Sequence, residues 1–195
     1  MFVVQFHRCL AGLVMLPWVV GCGYNAVIDR DEDVHAAWAE VENQYKRRSD
    51  LVPNLVQVVK GAVDFEKDTL TNVIEARSKV TGMKVDESIL NNLEKLKQFD
   101  QVQGQLGGAL SRLMVVSERY PVLKSTEAFR DLQAQLEGTE NRITVARRRF
   151  IEAVAEYNKV VLRFPTSIGA SLRGMNTRPT FTGTPGAEHP PEVTF

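Results

Sequence analysis

Phe129, Leu136, Ile143, Phe150, Tyr157 and Phe164 recur every seven residues, and Leu132, Thr139, Ala146, Ala153 and Val160 form a second series of sevens between them. Two such rows lie on one face of a helix and cannot be a strand, whose faces alternate every second residue. One row is large and the other mostly small, so a neighbouring helix can approach closely. The spacing predicts a long helix that Pro165 ends.

Three further segments carry helical spacing. Val34, Trp38, Val41 and Tyr45 mark a first helix over Asp31–Arg48, with Asp31, Glu32 and Asp33 in its first turn and Lys46, Arg47 and Arg48 in its last. Asp50 as N-cap and Pro53 in a first turn, where a missing N–H costs nothing, predict a second helix running to about Val80. Ile89, Leu93, Leu96, Val102, Leu106, Leu110 and Leu113 predict a third over Asp86–Arg119, weakened by Gly104, Gly107 and Gly108 and ended by Pro121. No segment alternates like a strand. The expected fold is all-α: an antiparallel up-and-down four-helix bundle over residues 31–173 with long helices. Residues 174–195 are rich in proline and glycine and are expected as an extended tail, laid along the bundle or disordered.

The N-terminus has a different character. Leu10–Val20 is apolar and too short for a bilayer, which needs about 20 apolar residues. Val19-Val20-Gly21-Cys22 resembles a bacterial lipobox. Residues 1–21 then read as a signal peptide, Cys22 as a lipidated first residue and residues 22–30 as a tether; the alternative is an uncleaved anchor. Either reading places the domain at a membrane, on the extracytoplasmic side of a bacterial envelope.

Lys plus Arg total 24 and Asp plus Glu total 24, so the chain lacks the excess positive charge of a nucleic-acid binder. Cys9 and Cys22 are the only cysteines, and the histidines are His7, His35 and His189, so neither a thiolate site nor a convergent histidine set is available to the body. Glu137 is followed three residues later by Glu140, not by the histidine that di-metal bundles use. No metal, cofactor or catalytic group is expected. Glu140, Asn141, Arg142 and Arg147 are expected instead to form a structural polar layer, Glu140 pairing with Arg142, Arg147 or a facing Arg77.

"AWAEVENQYKRRSDLVPNLVQVVKG", "EKDTL", "ERYPVLKS", "FRDLQAQLEGTENRITVARRRF", "AVAEYN", "FPTS" and the closing "PPEVTF" resemble the LemA family of bacterial envelope proteins over Tyr24–Phe195. The resemblance implies an up-and-down four-helix bundle behind an N-terminal membrane anchor and no established enzymatic activity. Cys22, Phe65 and Gly107-Gly108 depart from the family pattern.

The expected function is that of a non-catalytic, membrane-tethered protein-interaction or scaffold module. An enzyme subunit or ligand-binding bundle with a carboxylate and arginine site is the alternative. With turns at Ser49–Asn54 and Glu118–Pro121, the pole distal to the anchor would carry Arg47, Arg48, Asp50, Asn54, Glu118, Arg119 and Tyr120, which are expected to bind an unidentified envelope protein.

Overall fold

The computed structural model describes the backbone of residues 2–62 and 65–181 and the side chains of residues 25–62 and 65–181. These residues form six α-helices and a 3-10 turn, with no strand among them. The helices are α1 (Phe2–Lys60), α2 (Lys67–Gly82), α3 (Leu93–Ser117), α4 (Pro121–Ser125), α5 (Glu127–Leu162) and α6 (Thr166–Leu172); the 3-10 turn is Glu87–Asn91.

The first two expected helices are joined. α1 continues through Asp50 and Pro53 to Lys60, so Lys46–Arg48 lie in mid-helix and Asp50 caps nothing. Pro53 cannot donate to the carbonyl of Ser49 four residues back, a loss that ordinarily kinks or ends a helix. Arg77 of α2 replaces that donor, its Nε 3.1 Å from the Ser49 carbonyl oxygen. The apolar stripe also crosses the proline unbroken: Val34, Trp38, Val41, Tyr45, Val52, Leu55 and Val59 are all buried. The residues expected to close the second helix form α2, a separate helix that starts at Lys67 where α1 has ended at Lys60.

The third segment starts later than expected. Asp86 caps the 3-10 turn, accepting the Ser88 N–H at 3.0 Å. Asn92 then caps α3, accepting from the N–H groups of Glu94 and Lys95 at 3.0 and 3.1 Å. An asparagine side chain offered at that position ends the 3-10 turn and starts the longer helix. α3 ends at Ser117, and Pro121 opens α4, where its missing N–H leaves no partner wanting.

In α5 the row Phe129, Leu136, Ile143, Phe150 and Tyr157 is buried as the sevens require. The second row drifts. Leu132, Thr139 and Ala146 are buried, but beyond them Val154 and Val161 replace Ala153 and Val160 as the most buried positions. A helix of 3.6 residues per turn rotates about 20° per heptad against a strict repeat of seven. Phe164, the next step of the first row, lies outside and is exposed because α5 ends at Leu162 and the chain turns extended at Arg163.

Ring and polar contacts set the directions. Trp38 meets Phe150, Tyr45 meets Arg147 and Arg48 meets Glu140, so α1 and α5 run antiparallel. Phe99 touches Trp38 and Tyr45, and Gln103 meets Arg48, so α3 runs with α1. Glu66 meets Arg119 and Lys79 meets Gln105, so α2 runs against α3.

The core is double. One cluster joins Trp38, Tyr45, Phe99, Phe150 and Tyr157. The other joins Val52, Leu55, Leu106, Leu113, Phe129 and Leu136. Arg48, Ser49, Gln103 and Thr139, all buried, lie between them in sequence order on three helices.

The start of the tail lies along the helices. Asn158 donates to the Arg178 carbonyl at 3.0 Å and accepts from the Arg178 N–H at 2.8 Å, as a strand partner would. The Tyr157 hydroxyl donates to the Asn176 carbonyl at 3.1 Å. Arg178 Nη2 lies 2.7 Å from Asp31 Oδ1 and 3.3 Å from His35 Nε2, so His35 is half-buried against a partner and not a solvated surface group. Phe181 completes an aromatic cluster, its ring centroid 5.5 Å from Phe150 and 6.3 Å from Trp38. Residues 182–195, with the "PPEVTF" terminus and His189, lie outside the described residues, as does the side chain of Cys22.

Candidate functional site

Two places concentrate functional side chains: the polar layer between the cores and the end of the molecule at the α1–α2 and α3–α4 turns.

The polar layer is built on Arg48. Its side chain is 4% exposed. Nη1 donates to Glu140 Oε1 at 2.9 Å, and Nη2 donates to the Gln103 carbonyl at 2.7 Å and Gln103 Oε1 at 2.8 Å. Its guanidinium also stands 5.0 Å from the centre of the Tyr45 ring. A buried guanidinium needs its charge answered and its donors occupied; both terminal nitrogens of Arg48 are bonded, while its Nε is buried without a partner. Gly107 gives it room: a Cβ there would come 3.2 Å from Nη1.

One turn away, Arg147 donates to the Tyr45 hydroxyl at 2.9 Å and to Asp100, and lies 3.9 Å from the centre of the Phe181 ring. Burial opposes the charge on Arg147, but its bonds to Asp100 and Tyr45 outweigh burial and raise its pKa. Burial raises the pKa of the Tyr45 phenol, with Arg147 and Arg48 pulling the other way. Arg147 therefore stays charged and Tyr45 stays neutral. Most donors and acceptors of this layer are turned on one another, while Arg48 Nε and the Ser49 hydroxyl are buried without a hydrogen-bond partner.

The expected polar layer thus needs correction. Glu140 pairs with Arg48, not with Arg142, Arg147 or Arg77. Arg147 is in the layer, whereas Asn141 and Arg142 are exposed. Arg48 was expected on the surface, yet it occupies the step between Tyr45 and Val52 in the stripe that runs 34, 38, 41, 45, 48, 52, 55, 59. Gln103 falls in the α3 stripe between Phe99 and Leu106 in the same manner. That register is the signal that could have found both.

The seven residues expected at one pole are divided. Arg47, Asp50 and Asn54 are exposed along α1, and Asp50 pairs with Lys46 at 3.2 Å. Because α1 continues past them, Glu118, Arg119 and Tyr120 meet a different part of the chain. Arg119 bonds Glu66 and the Tyr120 ring lies 4.8 Å from that of Phe65. Glu118 pairs with Lys124. Hydrogen bonds from Arg119 and Thr69 lower the pKa of Glu66.

Beside this pair opens a groove of about 510 Å³ lined by Val58, Gly61, Ala62, Tyr120, Val122 and Leu123. Its lining is apolar apart from Arg119 and Thr126. Val122 on its rim is 81% exposed. Sequence reasoning missed Val58, Ala62 and Val122, because the helix break was set at Ser49 and not at Gly61. Among the described residues no group of three or more His, Cys, Asp or Glu side chains could hold a metal ion. Among them, too, no helix is long and apolar enough to cross a membrane.

A family model described as the LemA family matches residues 37–195. Magnetosome protein MamQ 1 of Paramagnetospirillum magneticum is 25% identical over 185 residues, covering 86% of this chain and 67% of that protein. Magnetosome protein MamQ of Magnetospirillum gryphiswaldense is 25% identical over 183 residues, with coverages of 86% and 67%. Protein LemA of Metamycoplasma hominis is 22% identical over 167 residues, covering 85% of this chain and 71% of that protein.

Proposed function

The chain belongs to the LemA family, and from that premise we propose that it is a non-catalytic, membrane-tethered protein of the bacterial envelope whose remote end docks another envelope protein. α1, α2, α3 and α5 serve as the four staves of an up-and-down bundle. The N-terminal apolar segment, by lipidated Cys22 or as a retained anchor, holds one end at the membrane. Lys60 lies at the opposite end of α1, beside the groove.

The observation that carries this reading is the contrast between the two sites. The interior polar groups bond chiefly one another, with the buried Arg48 Nε and Ser49 hydroxyl as exceptions, as a structural layer does. The apolar groove is open and bordered by Tyr120 and Arg119, residue types that anchor protein interfaces. The similarity to magnetosome proteins accords with work at a membrane.

A photoreactive amino acid placed at Val122 tests it in intact cells, with the same group at exposed Glu75 of α2 as control. The expected result is one or a few adducts specific to Val122. Identical adduct patterns from the two positions would remove the groove as a docking surface. The groove's size also falls in the range of small-molecule pockets, which supports a second reading as a ligand-binding bundle. Native mass spectrometry separates the two: an apolar small molecule that copurifies with the wild type and is lost in Ala62→Trp favours the ligand.

A further inference from the structure

A second groove, of about 500 Å³, opens between α3 and α5. Gly107, Leu110 and Met114 line it from α3, and Leu136, Glu140 and Asn141 from α5. Leu110 and Leu136 belong to the core beneath. Val115, one helical turn after the groove-lining Ser111, is 71% exposed. An apolar side chain thus stands uncovered at the far end of the groove.

The strap points at this groove. Arg178 meets Asn158 and Phe181 meets Phe150, so residues 178–181 run antiparallel to α5. The Arg147 guanidinium lies against the Phe181 ring. Arg147, Glu140 and Gln133 recur at sevens and share one face of α5. Glu140 and Gln133 line the groove, so the described strap ends on the face of α5 that the groove continues.

The chain that follows has the length and the chemistry for it. Gln133 stands 17 residues before Phe150, about 26 Å along the helix. Residues 182–189 cover about the same distance when extended, at about 3.3 Å each. Residues 190–195 then reach beyond Gln133 by about 20 Å, past Val115 to the level of α4. Pro185, Pro190 and Pro191 bring no N–H that needs a partner, which suits a segment laid on helices that offer no strand edge. Asn141 and Gln133 present the same kind of side-chain amide with which Asn158 holds the Arg178 backbone. The two carboxylates that line the groove are engaged, Glu140 by Arg48 and Glu137 by Gln133.

We propose that residues 182–195 carry the strap on through the α3–α5 groove, antiparallel to α5, and bring Val193 and Phe195 past Val115 to α4. Glu188 and Glu192 pass exposed Arg130, which stands one turn from Gln133. The strap then closes the α3–α5 face along its whole length. This seat depends neither on the membrane tether nor on a partner in the end groove.

Photocrosslinking of the full chain in detergent micelles tests it. p-Benzoylphenylalanine takes the place of Thr184 in one variant and of Phe195 in another, and tandem mass spectrometry maps the adducts. The probe at 184 is expected to mark Gly107, Glu140, Asn141 or Thr144, and the probe at 195 to mark residues 115–125. A mixture of isotope-labelled and unlabelled chains should give adducts of one isotope only. Ser111→Trp fills the groove from an exposed position and should lower the yield from position 184 at least severalfold. Probes that mark α5 in the reverse order overturn the proposed course. Adducts on α2, or no adduct within the chain, overturn the seat. Mixed-isotope adducts assign the groove to the tail of a second copy instead. An unchanged yield in Ser111→Trp, with circular dichroism matching the wild type, removes the groove as the seat. If Ser111→Trp does not fold, the adduct map of the two probe variants decides alone.

Discussion

Arg77 donates its Nε–H to the carbonyl of Ser49, the carbonyl that Pro53 leaves without a helical donor. A residue on α2 thereby completes the hydrogen bonding of α1, and the two helices are coupled through a backbone atom.

That coupling is measurable. Arg77→Ala should cost about 1–3 kcal/mol, because it strands a buried carbonyl. In a Pro53→Ala background the helical donor returns, and the same substitution should cost clearly less. Urea denaturation of the four proteins gives the interaction energy. Equal costs in the two backgrounds would show that Arg77 does not serve the proline's gap.

The seam of α5 yields a contrast between positions two residues apart. Phe150→Ala should lose about 3–5 kcal/mol as a large-to-small change among Trp38, Phe181 and its other neighbours. Arg148→Ala, on the exposed face, should lose less than about 0.5 kcal/mol. Thermal melts of the two variants would contradict the assigned face if they coincided.

The α3 glycines should separate in the same assay. Nothing lies within 4 Å of a Cβ added at Gly104 or Gly108. Gly104→Ala and Gly108→Ala should each gain about 0.5–1 kcal/mol from helix propensity. Gly107→Ala should fall below both, since its methyl meets an Arg48 guanidinium already held by Glu140 and Gln103. A ranking with Gly107→Ala on top would mean that Arg48 is free to shift.

Acid should loosen the α1–α2 turn. The folded pKa of Glu66 is lowered by its hydrogen bonds to Arg119 and Thr69, so its contribution is present above the unfolded value and lost as pH falls through the folded one. The protection factor of the Leu70 amide, which donates to the Glu66 carbonyl, should fall across that interval, and Glu66→Gln should flatten the fall. An unchanged profile in Glu66→Gln would assign the acid response to other groups.

Removing the strap should expose the aromatic core. A chain ending at Arg173 loses Phe181 from beside Trp38 and Phe150, and also the two-way bond between Arg178 and Asn158. Its melting temperature should fall by several degrees, as for a loss of more than about 1 kcal/mol. Wild-type stability would show that residues 174–181 only rest on the surface.

Helical class and the α5 core row were legible because hydrophobic spacing reports directly on burial. The break between α1 and α2 was misplaced because Asp50 and Pro53 look like a helix start when taken locally. The donor that cancels the proline's cost is Arg77, distant in sequence and invisible to local rules. Arg48 was misassigned for a related reason: its charge suggested surface, while its stripe position between Tyr45 and Val52 required the interior. The contact of Asp31 and His35 with Arg178 joins two ends of the chain, and no spacing rule reaches that far. The end groove followed the misplaced break and was missed with it.

An uninterrupted α1 is also a lever. From Val27 beside α6 to Lys60 beside the groove it spans about 50 Å at 1.5 Å per residue. Had the helix broken at Ser49, a swing at its base would have died in a hinge halfway along. With Arg77 bridging the proline, tilting the base by roughly 10° carries the groove sideways by about 9 Å on a rod of that length. The reach and height of the groove are therefore set at the other end of the molecule.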